Sequence, residues 1–356
     1  MAVELSLSKI VPFASSRPLS VASNGEVLLV WNNTTVWRSV DAEVWAPVLS
    51  FSASPDVSEE PLVFWLNPTT AVALSYDGDN YLSHMSTDGG LTWGAFYSSA
   101  TSYFSGPVLT STLYASQFHA ANGYVYVSSS DGSVFRSSDL SAWQATNLTG
   151  TVQGVAFGNG VWLLAVDGTH YRSTDGVTFS VAYANSHEQV YGRANNACWS
   201  DELSKFFIWV NSPKTVASSA DAAVWDVHSD AGSPYWQAWG LTAIVPISGG
   251  VVVFGSTSSS GDEGQSTNLY NAAENAFYDI RYTYDPSVVG IDAYSVASFG
   301  SDVLFAGRMN LTDPVTETDI DTWRGAEYTA LLSAGPPPPV VVPEFWTGFS
   351  LSYEIP

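Results

Sequence analysis

Short stretches in which apolar residues run together recur along the whole chain, and pairs of turn residues separate them. The runs at 27–31, 125–127 and 161–164 each follow an Asn-Gly pair, at 24–25, 122–123 and 159–160. β-Branched and aromatic residues in runs of this length are typical of strands. Asn-Gly favours two-residue hairpin turns because both residues tolerate positive φ. The pattern therefore predicts many short antiparallel strands and almost no helix.

These strands belong to a repeated unit with fixed internal spacing. Asn-Gly lies 17, 17 and 16 residues before Asp41, Asp139 and Asp175, and Asp-Gly pairs lie 8 residues before the last two. Each unit reads as four strands joined by an Asn-Gly turn, an Asp-Gly turn and an aspartate turn. The unit is thus predicted to be a four-stranded antiparallel meander.

An aromatic residue closes each aspartate turn, and the turns recur about every 46 residues if one degenerate copy is counted. The pairs are Asp41/Trp45, Asp88/Trp93, Asp139/Trp143, Asp175/Phe179, Asp221/Trp225, the degenerate Glu274/Phe277 and Asp319/Trp323. A single meander leaves both of its faces uncovered, whereas sheets arranged radially cover one another.

The period and the count predict an all-β fold, a seven-bladed β-propeller of four-stranded antiparallel blades, over residues 1–334. The blades are expected near 20–52, 62–100, 104–147, 151–186, 192–230, 240–285 and 291–334, with 3–11 as a closing strand. A β-sandwich is the weaker alternative, because it requires neither a constant period nor constant turn offsets.

The turn at 86–93, Ser-Thr-Asp-Gly-Gly-Leu-Thr-Trp, resembles the Asp-box of BNR-repeat propellers, and the others resemble it with one residue deleted. Families with this turn include sialidases, sortilin-like receptors, photosystem assembly factors and virion proteins of tailed phages. The resemblance implies a fold, and it gives the turns a structural role, since their side-chain oxygens can accept backbone N–H bonds. The structural residues are Ser39, Asp41, Trp45, Ser86, Asp88, Trp93, Ser137, Asp139, Trp143, Ser173, Asp175, Phe179, Ser219, Asp221, Trp225, Glu274, Phe277, Asp319 and Trp323.

Three arginines, Arg38, Arg136 and Arg172, each lie three residues before such an aspartate. They could clamp a ligand. The repeat position favours a structural role instead, with their stems packed over aromatic rings and their guanidinium groups near carboxylates.

The composition argues against several classes of function. The net charge of −23, with three lysines in 356 residues, argues against nucleic-acid binding. No apolar run reaches the roughly 20 residues of a membrane helix, and the N-terminus lacks the pattern of a secretory signal. Cys198 stands alone, which excludes an internal disulfide and a cysteine-rich metal site.

No catalytic residues, cofactor or metal are predicted. A sialidase would need an arginine triad together with a tyrosine–glutamate pair; Glu188 and Tyr191 are close in sequence, but nothing brings them to a cleft. The arginines outside the repeat position are Arg17, Arg193, Arg281, Arg308 and Arg324. The run 77–80 and the pair Asp319/Asp321 have too few oxygen ligands for calcium.

The composition changes after Gly335. Four prolines at 336–339 predict a stiff spacer of about 12 Å, and an aromatic segment follows it. Residues 335–356 are therefore predicted to form a Pro-rich arm that docks on another subunit by strand addition. The docking residues are Phe345, Trp346, Phe349, Leu351 and Tyr353.

Together these features favour a non-enzymatic display protein on the virion of a tailed phage, folded in the host cytoplasm. It would serve as a capsid decoration or as a tail-associated receptor-binding propeller. Its partners would be other virion subunits, bound through the arm, and a host surface glycan or receptor, with no nucleic acid and no membrane insertion. The alternative is an extracellular glycan-binding or sialidase-like propeller, in which Trp236 and Trp239 could stack on sugars. A third hypothesis is that the protein is a cytoplasmic assembly scaffold.

Overall fold

The fold is described from a computed structural model of the chain. It covers residues 2–3, 6–9, 18–32, 34–51, 62–77, 79–99, 118–129, 131–184, 196–211, 214–228, 240–247, 249–256, 267–273, 275–280, 288–299, 302–311 and 327–333. Every regular element in these ranges is a β-strand.

The strands are numbered in chain order, and blades are named by the sheets they form. Two short strands come first, β1 (Ala2–Val3) and β2 (Ser6–Lys9). Blade 1 holds β3 (Pro18–Ser23), β4 (Leu28–Asn32), β5 (Thr35–Ser39) and β6 (Ala46–Ser50). Blade 2 holds β7 (Leu62–Asn67), β8 (Thr70–Tyr76), β9 (Tyr81–Ser86) and β10 (Gly94–Ser99). Blade 3 holds β11 (His119–Ala121), β12 (Tyr124–Ser128), β13 (Ser133–Ser137) and β14 (Gln144–Thr149).

The second half of the chain repeats the pattern. Blade 4 holds β15 (Val152–Gly158), β16 (Val161–Val166), β17 (Thr169–Ser173) and β18 (Ser180–Ala184). Blade 5 holds β19 (Ala197–Ser200), β20 (Lys205–Asn211), β21 (Lys214–Ser219) and β22 (Asp226–His228). Blade 6 holds β23 (Gly240–Ile247), β24 (Gly250–Ser256), β25 (Thr267–Asn271) and β26 (Ala276–Ile280). Blade 7 holds β27 (Val288–Phe299), β28 (Asp302–Leu311) and β29 (Glu327–Ser333).

Blades 1 to 6 are antiparallel meanders of four consecutive strands. The seventh sheet takes its fourth strand from the other end of the chain, because β2 pairs antiparallel with β29, Ser6 opposite Ser333 and Lys9 opposite Ala330. In addition, β1 adds to the outer edge of β26 in parallel. The fold is an all-β propeller with six or seven four-stranded blades, depending on whether the sheet built from both ends of the chain is counted.

The first strands of the sheets surround a common axis. Each contacts the first strand of the next sheet, in the order β3, β7, β11, β15, β19, β23 and β27, and β27 contacts β3 again. Serine hydroxyls join two of these seams. Ser295 Oγ accepts the N–H of Val21 at 3.0 Å, and Ser20 Oγ accepts the N–H of Val63 at 3.1 Å. Because these hydroxyls are buried, the bonds fix the inner strands against each other.

The core lies between the sheets and not inside them. In β4, Leu29 and Trp31 pack against blade 2, whereas Leu28 and Val30 pack against blade 7. The second strands of blades 2 to 5 divide their side chains between two neighbours in the same way. A strand buried on both faces needs a continuous apolar run. This requirement explains the runs seen in the sequence.

Turn geometry differs between the repeats. Asn122-Gly123 and Asn159-Gly160 have positive φ at both residues, as their sequence predicts. In blade 1, β3 and β4 are joined instead by a four-residue turn, where Asn24 Oδ1 accepts the N–H groups of Glu26 and Val27 at 2.9 and 2.7 Å. The prediction of a two-residue hairpin was wrong there, because the asparagine side chain replaces a backbone acceptor.

Candidate functional site

Five aspartate turns, here called corners, join the third and fourth strands of blades 1 to 5. Corner 1 spans residues 39–45, corner 2 spans 86–93, corner 3 spans 137–143, corner 4 spans 173–179 and corner 5 spans 219–225. The third strands of all five blades run in the same direction relative to the axis of the ring, and so do the fourth strands. All five corners therefore lie at one end of it, here called the turn face.

Each corner is closed by the same hydrogen bonds. The serine hydroxyl donates to the aspartate Oδ1, at 3.0, 2.8, 3.1, 2.8 and 3.1 Å in corners 1 to 5. The same Oδ1 accepts two backbone N–H groups of the turn, for example those of Val177 and Thr178 on Asp175, at 2.8 and 2.7 Å. The corner aspartates thus anchor their own turns, which is a structural role.

The same hydrogen bonds stabilise the ionised form of these aspartates. In corner 2 the Thr92 hydroxyl, the N–H of Thr92 and the Ser86 hydroxyl hold the pKa of Asp88 well below 3.8. Backbone N–H bonds lower the pKa of Asp41, Asp139, Asp175 and Asp221 in the same direction. The carboxylates are exposed and remain ionised at neutral pH, so they are poorly suited to general acid catalysis.

In blades 1, 3 and 4, the arginine three residues before the aspartate interacts with the corner of the following blade. Arg136 Nη1 donates to the carbonyl of Asp175 in corner 4 at 2.7 Å, and its guanidinium lies 4.5 Å from the Tyr124 ring centre. Arg38 Nε donates to the carbonyl of Gly89 in corner 2 at 2.8 Å. Arg172 is close enough to Asp221 to lower its pKa. The expected packing over aromatic rings is present at Arg136, but Arg38 and Arg136 bond backbone carbonyls of the next corner where carboxylates were expected.

Several predicted residues lie outside the described part of the chain. These are Glu274, Asp319, Asp321, Trp323, Glu188, Tyr191, Arg17, Arg193, Arg281, Arg324, Trp236, Trp239, and the arm residues Phe345, Trp346, Phe349, Leu351 and Tyr353. Phe277 and Arg308 lie in β26 and β28. In the run 77–80, which was weighed as a calcium loop, Asp77 Oδ1 accepts the N–H groups of Asp79 and Asn80 at 3.0 and 2.7 Å, which is hairpin-turn bonding. Across the described ranges, no group of three or more His, Cys, Asp or Glu side chains could hold a metal ion.

A cavity of about 320 Å³ lies on the axis, and every blade contributes residues of its first strand to the wall. Apolar side chains such as Phe64, Phe118 and Ile244 line it together with His119 and Cys198. Burial raises the pKa of the Cys198 thiol far above 9.0, so the group stays protonated and is a poor nucleophile. The size falls at the lower end of small-molecule sites.

Buried histidines belong to the contacts between blades. His170 is fully buried, and its Nε2 donates to the carbonyl of Asn196 at 3.1 Å. His228 lies between Ser218 Oγ, 2.8 Å from Nε2, and the Tyr270 hydroxyl, 3.1 Å from Nδ1. Ser218 is itself buried, so this arrangement does not expose a nucleophile.

One surface feature was not predicted. Large apolar side chains are exposed at three corners, and the most exposed are Val44 at 72% and Val224 at 75%. From the sequence, the corners were predicted to have a structural role only. A position-by-position comparison of the five corners would have revealed these residues, because the same positions in corners 3 and 4 hold serine, threonine and alanine, with Val177 as the one exception.

Among the described residues, no helix is long and apolar enough to cross a membrane.

The fold defines the chain as a β-propeller of four-stranded blades, and solved structures share it. A catalytically inactive virginiamycin B lyase from Staphylococcus aureus with quinupristin aligns with TM-score 0.59 and 7% identity over 93% of this chain and 100% of that one. YCF48 bound to D1 peptide aligns with TM-score 0.55 and 12% identity over 95% and 97% of the two chains. YCF48 from Cyanidioschyzon merolae aligns with TM-score 0.51 and 12% identity over 92% and 98%.

No protein-family model matches the sequence, and no curated protein matches it. Likeness at 7–12% identity shows the fold alone.

Proposed function

We propose that this chain is a non-enzymatic recognition and display module of a tailed-phage virion, built as a closed seven-bladed propeller. It acts as a capsid decoration or as a tail-associated receptor-binding propeller, and it folds in the host cytoplasm. The Pro-rich arm at 335–356 anchors it to other virion subunits.

The observation that carries the proposal is the exposure of large apolar side chains on a tightly bonded framework. Three corners present them, together with β10, β18 and β22, the outer strands of three blades. Exposed apolar side chains beside polar ones are typical of surfaces that bind other proteins. The rigid corners hold these side chains in place before a partner arrives, which lowers the entropic cost of binding.

Two further lines support a binding role. YCF48 holds the D1 peptide on the same fold, so a propeller of this size can act as a peptide-binding module. The virion setting rests on the resemblance of the corners to Asp-boxes, on the acidic, lysine-poor composition and on the arm sequence. Excess negative charge keeps many displayed copies soluble and mutually repelling.

Truncation after residue 334 tests the proposed role of the arm. The shortened chain is expected to fold as a monomer, with an unchanged circular dichroism spectrum and unfolding midpoint, but to be absent from purified particles. A second, full-length variant, in which Phe349, Leu351 and Tyr353 are changed to serine, should also be absent from purified particles. Normal incorporation of both proteins, or an unfolded truncated chain, would contradict the proposal.

A glycan-binding or sialidase-like propeller acting outside a cell is the second candidate. The axial cavity of about 320 Å³ favours it. A glycan array combined with a fluorogenic sialoside assay separates the two functions. Turnover of the sialoside would replace the display proposal, whereas glycan binding without turnover would be consistent with receptor recognition.

A further inference from the structure

Corners 1 and 2 expose aliphatic side chains that their turn geometry does not require. Val40 is 56% exposed, Val44 72% and Leu91 56%. At the positions equivalent to Val40, corners 3 and 4 hold Ser138 and Thr174.

The position of Val44 shows the same contrast with both corners, and the position of Leu91 shows it with corner 3, whereas corner 4 holds Val177 there. The residues equivalent to Val44 are Ala142 and Thr178, and in corner 3 the residue equivalent to Leu91 is Ser141. Those corners nevertheless form the same serine–aspartate bonds. A polar residue is therefore compatible with the turn, and the exposed aliphatics need another explanation.

The two corners lie side by side. Arg38, next to the first residue of corner 1, donates from Nε to the carbonyl of Gly89 in corner 2 at 2.8 Å. A Cβ built on Gly90 would lie 3.7 Å from the Arg38 Cδ and 3.2 Å from the Leu29 Cδ2. Blade 1 thus packs against corner 2, which places corners 1 and 2 next to each other on the turn face.

The same two turns carry exposed acidic side chains. Asp41, Glu43 and Asp88 are exposed there. The nearby cation, Arg38, is partly buried and bonded to Gly89. A second copy of this acidic chain would bring the same carboxylates, and like charges brought together oppose association. A partner with basic side chains complements the region.

We propose that the region formed by corners 1 and 2, the corner 1–2 surface, binds a partner-protein segment in which aliphatic or aromatic side chains alternate with Lys or Arg. The inference rests on the proposed role as a protein-binding module and names the chemistry of one partner. Val40, Val44 and Leu91 cover the apolar side chains of the segment, while Asp41, Glu43 and Asp88 face its cations.

The test uses substitutions that other corners already carry. The variant V40S/V44T/L91S places in corners 1 and 2 side chains found in corners 3 and 4, so it should fold normally. The control V224T makes the same type of change at corner 5, three blades away. Fluorescence anisotropy measures binding of three labelled ten-residue probes at about 0.15 M salt, which are alternating Leu-Lys, Ser-Lys and Leu-Glu peptides.

We expect the Leu-Lys peptide to bind the native chain at least tenfold more tightly than either of the other two peptides. The triple variant should lose at least tenfold in affinity for it, and V224T should retain the native affinity. Equal affinities for the Ser-Lys and Leu-Lys peptides would show that binding depends on the net charge of the peptide alone, and would overturn the proposal. Equal loss in both variants, or no loss in the triple variant, would do so as well.

Sedimentation of the native chain and the triple variant tests self-association at the same surface. Dimers of the native chain that the triple variant abolishes would make a second copy the occupant and overturn the proposed partner chemistry. None of these results depends on the arm. Failure here is therefore distinguishable from failure of the truncation experiment, which tests the display function itself.

Discussion

Glycine at one corner position is required by packing as well as by backbone conformation. Gly176 in corner 4 has φ +70°, and a Cβ there would lie 2.2 Å from Arg136 Nη1 and 2.7 Å from the Tyr126 hydroxyl. The same hydroxyl already donates to the Gly176 carbonyl at 3.0 Å. Gly160, in the hairpin of the same blade, has φ +73° but nothing within 4 Å of such a Cβ. The two positions separate backbone strain from steric conflict.

We expect Gly160→Ala to lower the free energy of unfolding by about 1–2 kcal/mol, the cost of a left-handed conformation. Gly176→Ala should lower it by roughly a further 1–3 kcal/mol, because the methyl group displaces Arg136 from the Asp175 carbonyl and crowds Tyr126. Urea unfolding midpoints of the two variants measure the difference. Equal losses would show that the contact with blade 3 contributes nothing.

His170 should make stability depend on pH. Burial lowers its folded-state pKa to about 4 from 6.5, so the folded chain holds the neutral imidazole. Its contribution is complete above pH 6.5, and it is lost as the pH falls from 6.5 toward 4, by about 3 kcal/mol in total. His84 and His228 shift in the same direction by burial.

The measurement is the free energy of unfolding of the native chain and of His170→Gln between pH 8 and 5. The native chain should lose stability faster on acidification, and the variant should retain only the shallower dependence due to the other histidines. The corner aspartates do not interfere, because they bind protons only below pH 3.8. Parallel curves for the two proteins would refute the assignment.

At the scale of elements, the link between a third strand and the next corner couples neighbouring blades. Arg136 bonds the Asp175 carbonyl with Nη1 and the Gln144 amide oxygen with Nε and Nη2, at 2.7, 3.2 and 3.1 Å. Lysine keeps the charge but lacks the planar fork that reaches both acceptors. Arg136→Lys should therefore destabilise the chain by about 1–2 kcal/mol, nearly as much as Arg136→Met.

Thermal unfolding of Arg136→Lys and Arg136→Met, each with and without Gln144→Ala, measures the link. In the Gln144→Ala background the loss on replacing Arg136 should shrink, because one of its two acceptors is already gone. Native stability in the lysine variant would mean that charge alone accounts for the contact.

The elements show which parts of the structure were accessible from sequence. Strands such as β4 and β16, the Asn-Gly turns at 122–123 and 159–160, and the serine–aspartate spacing of the corners are local, so propensity and spacing report them directly. Contacts between blades are not local. Nothing in the Arg-Ser-x-Asp pattern specifies that Arg136 reaches the corner of the following blade, because that depends on how the sheets are rotated against each other. The exposure of Val44 was accessible only through a comparison of the corners, since valine in a β-rich sequence is normally a core residue.

At the scale of the molecule, both ends of the described chain meet in one sheet. β2 and β29 are about 320 residues apart in sequence, yet they pair from Ser6↔Ser333 to Lys9↔Ala330. Around the ring this sheet lies between blades 6 and 1, because β27 contacts both β23 and β3. We expect the ring to open here first, because the four-stranded meanders of blades 1 to 6 are each built from continuous chain and β1 only extends the outer edge of blade 6.

A covalent closure tests this view of the whole ring. Ser6→Cys with Ser333→Cys places two cysteines directly opposite each other across antiparallel strands, and Cys198→Ser in the same chain prevents mispairing. Opposed positions in such a pair have Cα atoms about 4.5–5.5 Å apart, which is within disulfide range. The oxidised protein should gain about 2–4 kcal/mol in unfolding free energy over its reduced form, since the crosslink closes a very long loop. Chains with Ser6→Cys or Ser333→Cys alone, in the Cys198→Ser background, should gain nothing on oxidation. If the paired cysteines stay reduced under mild oxidant, or if oxidation destabilises the chain, β2 does not complete the seventh sheet.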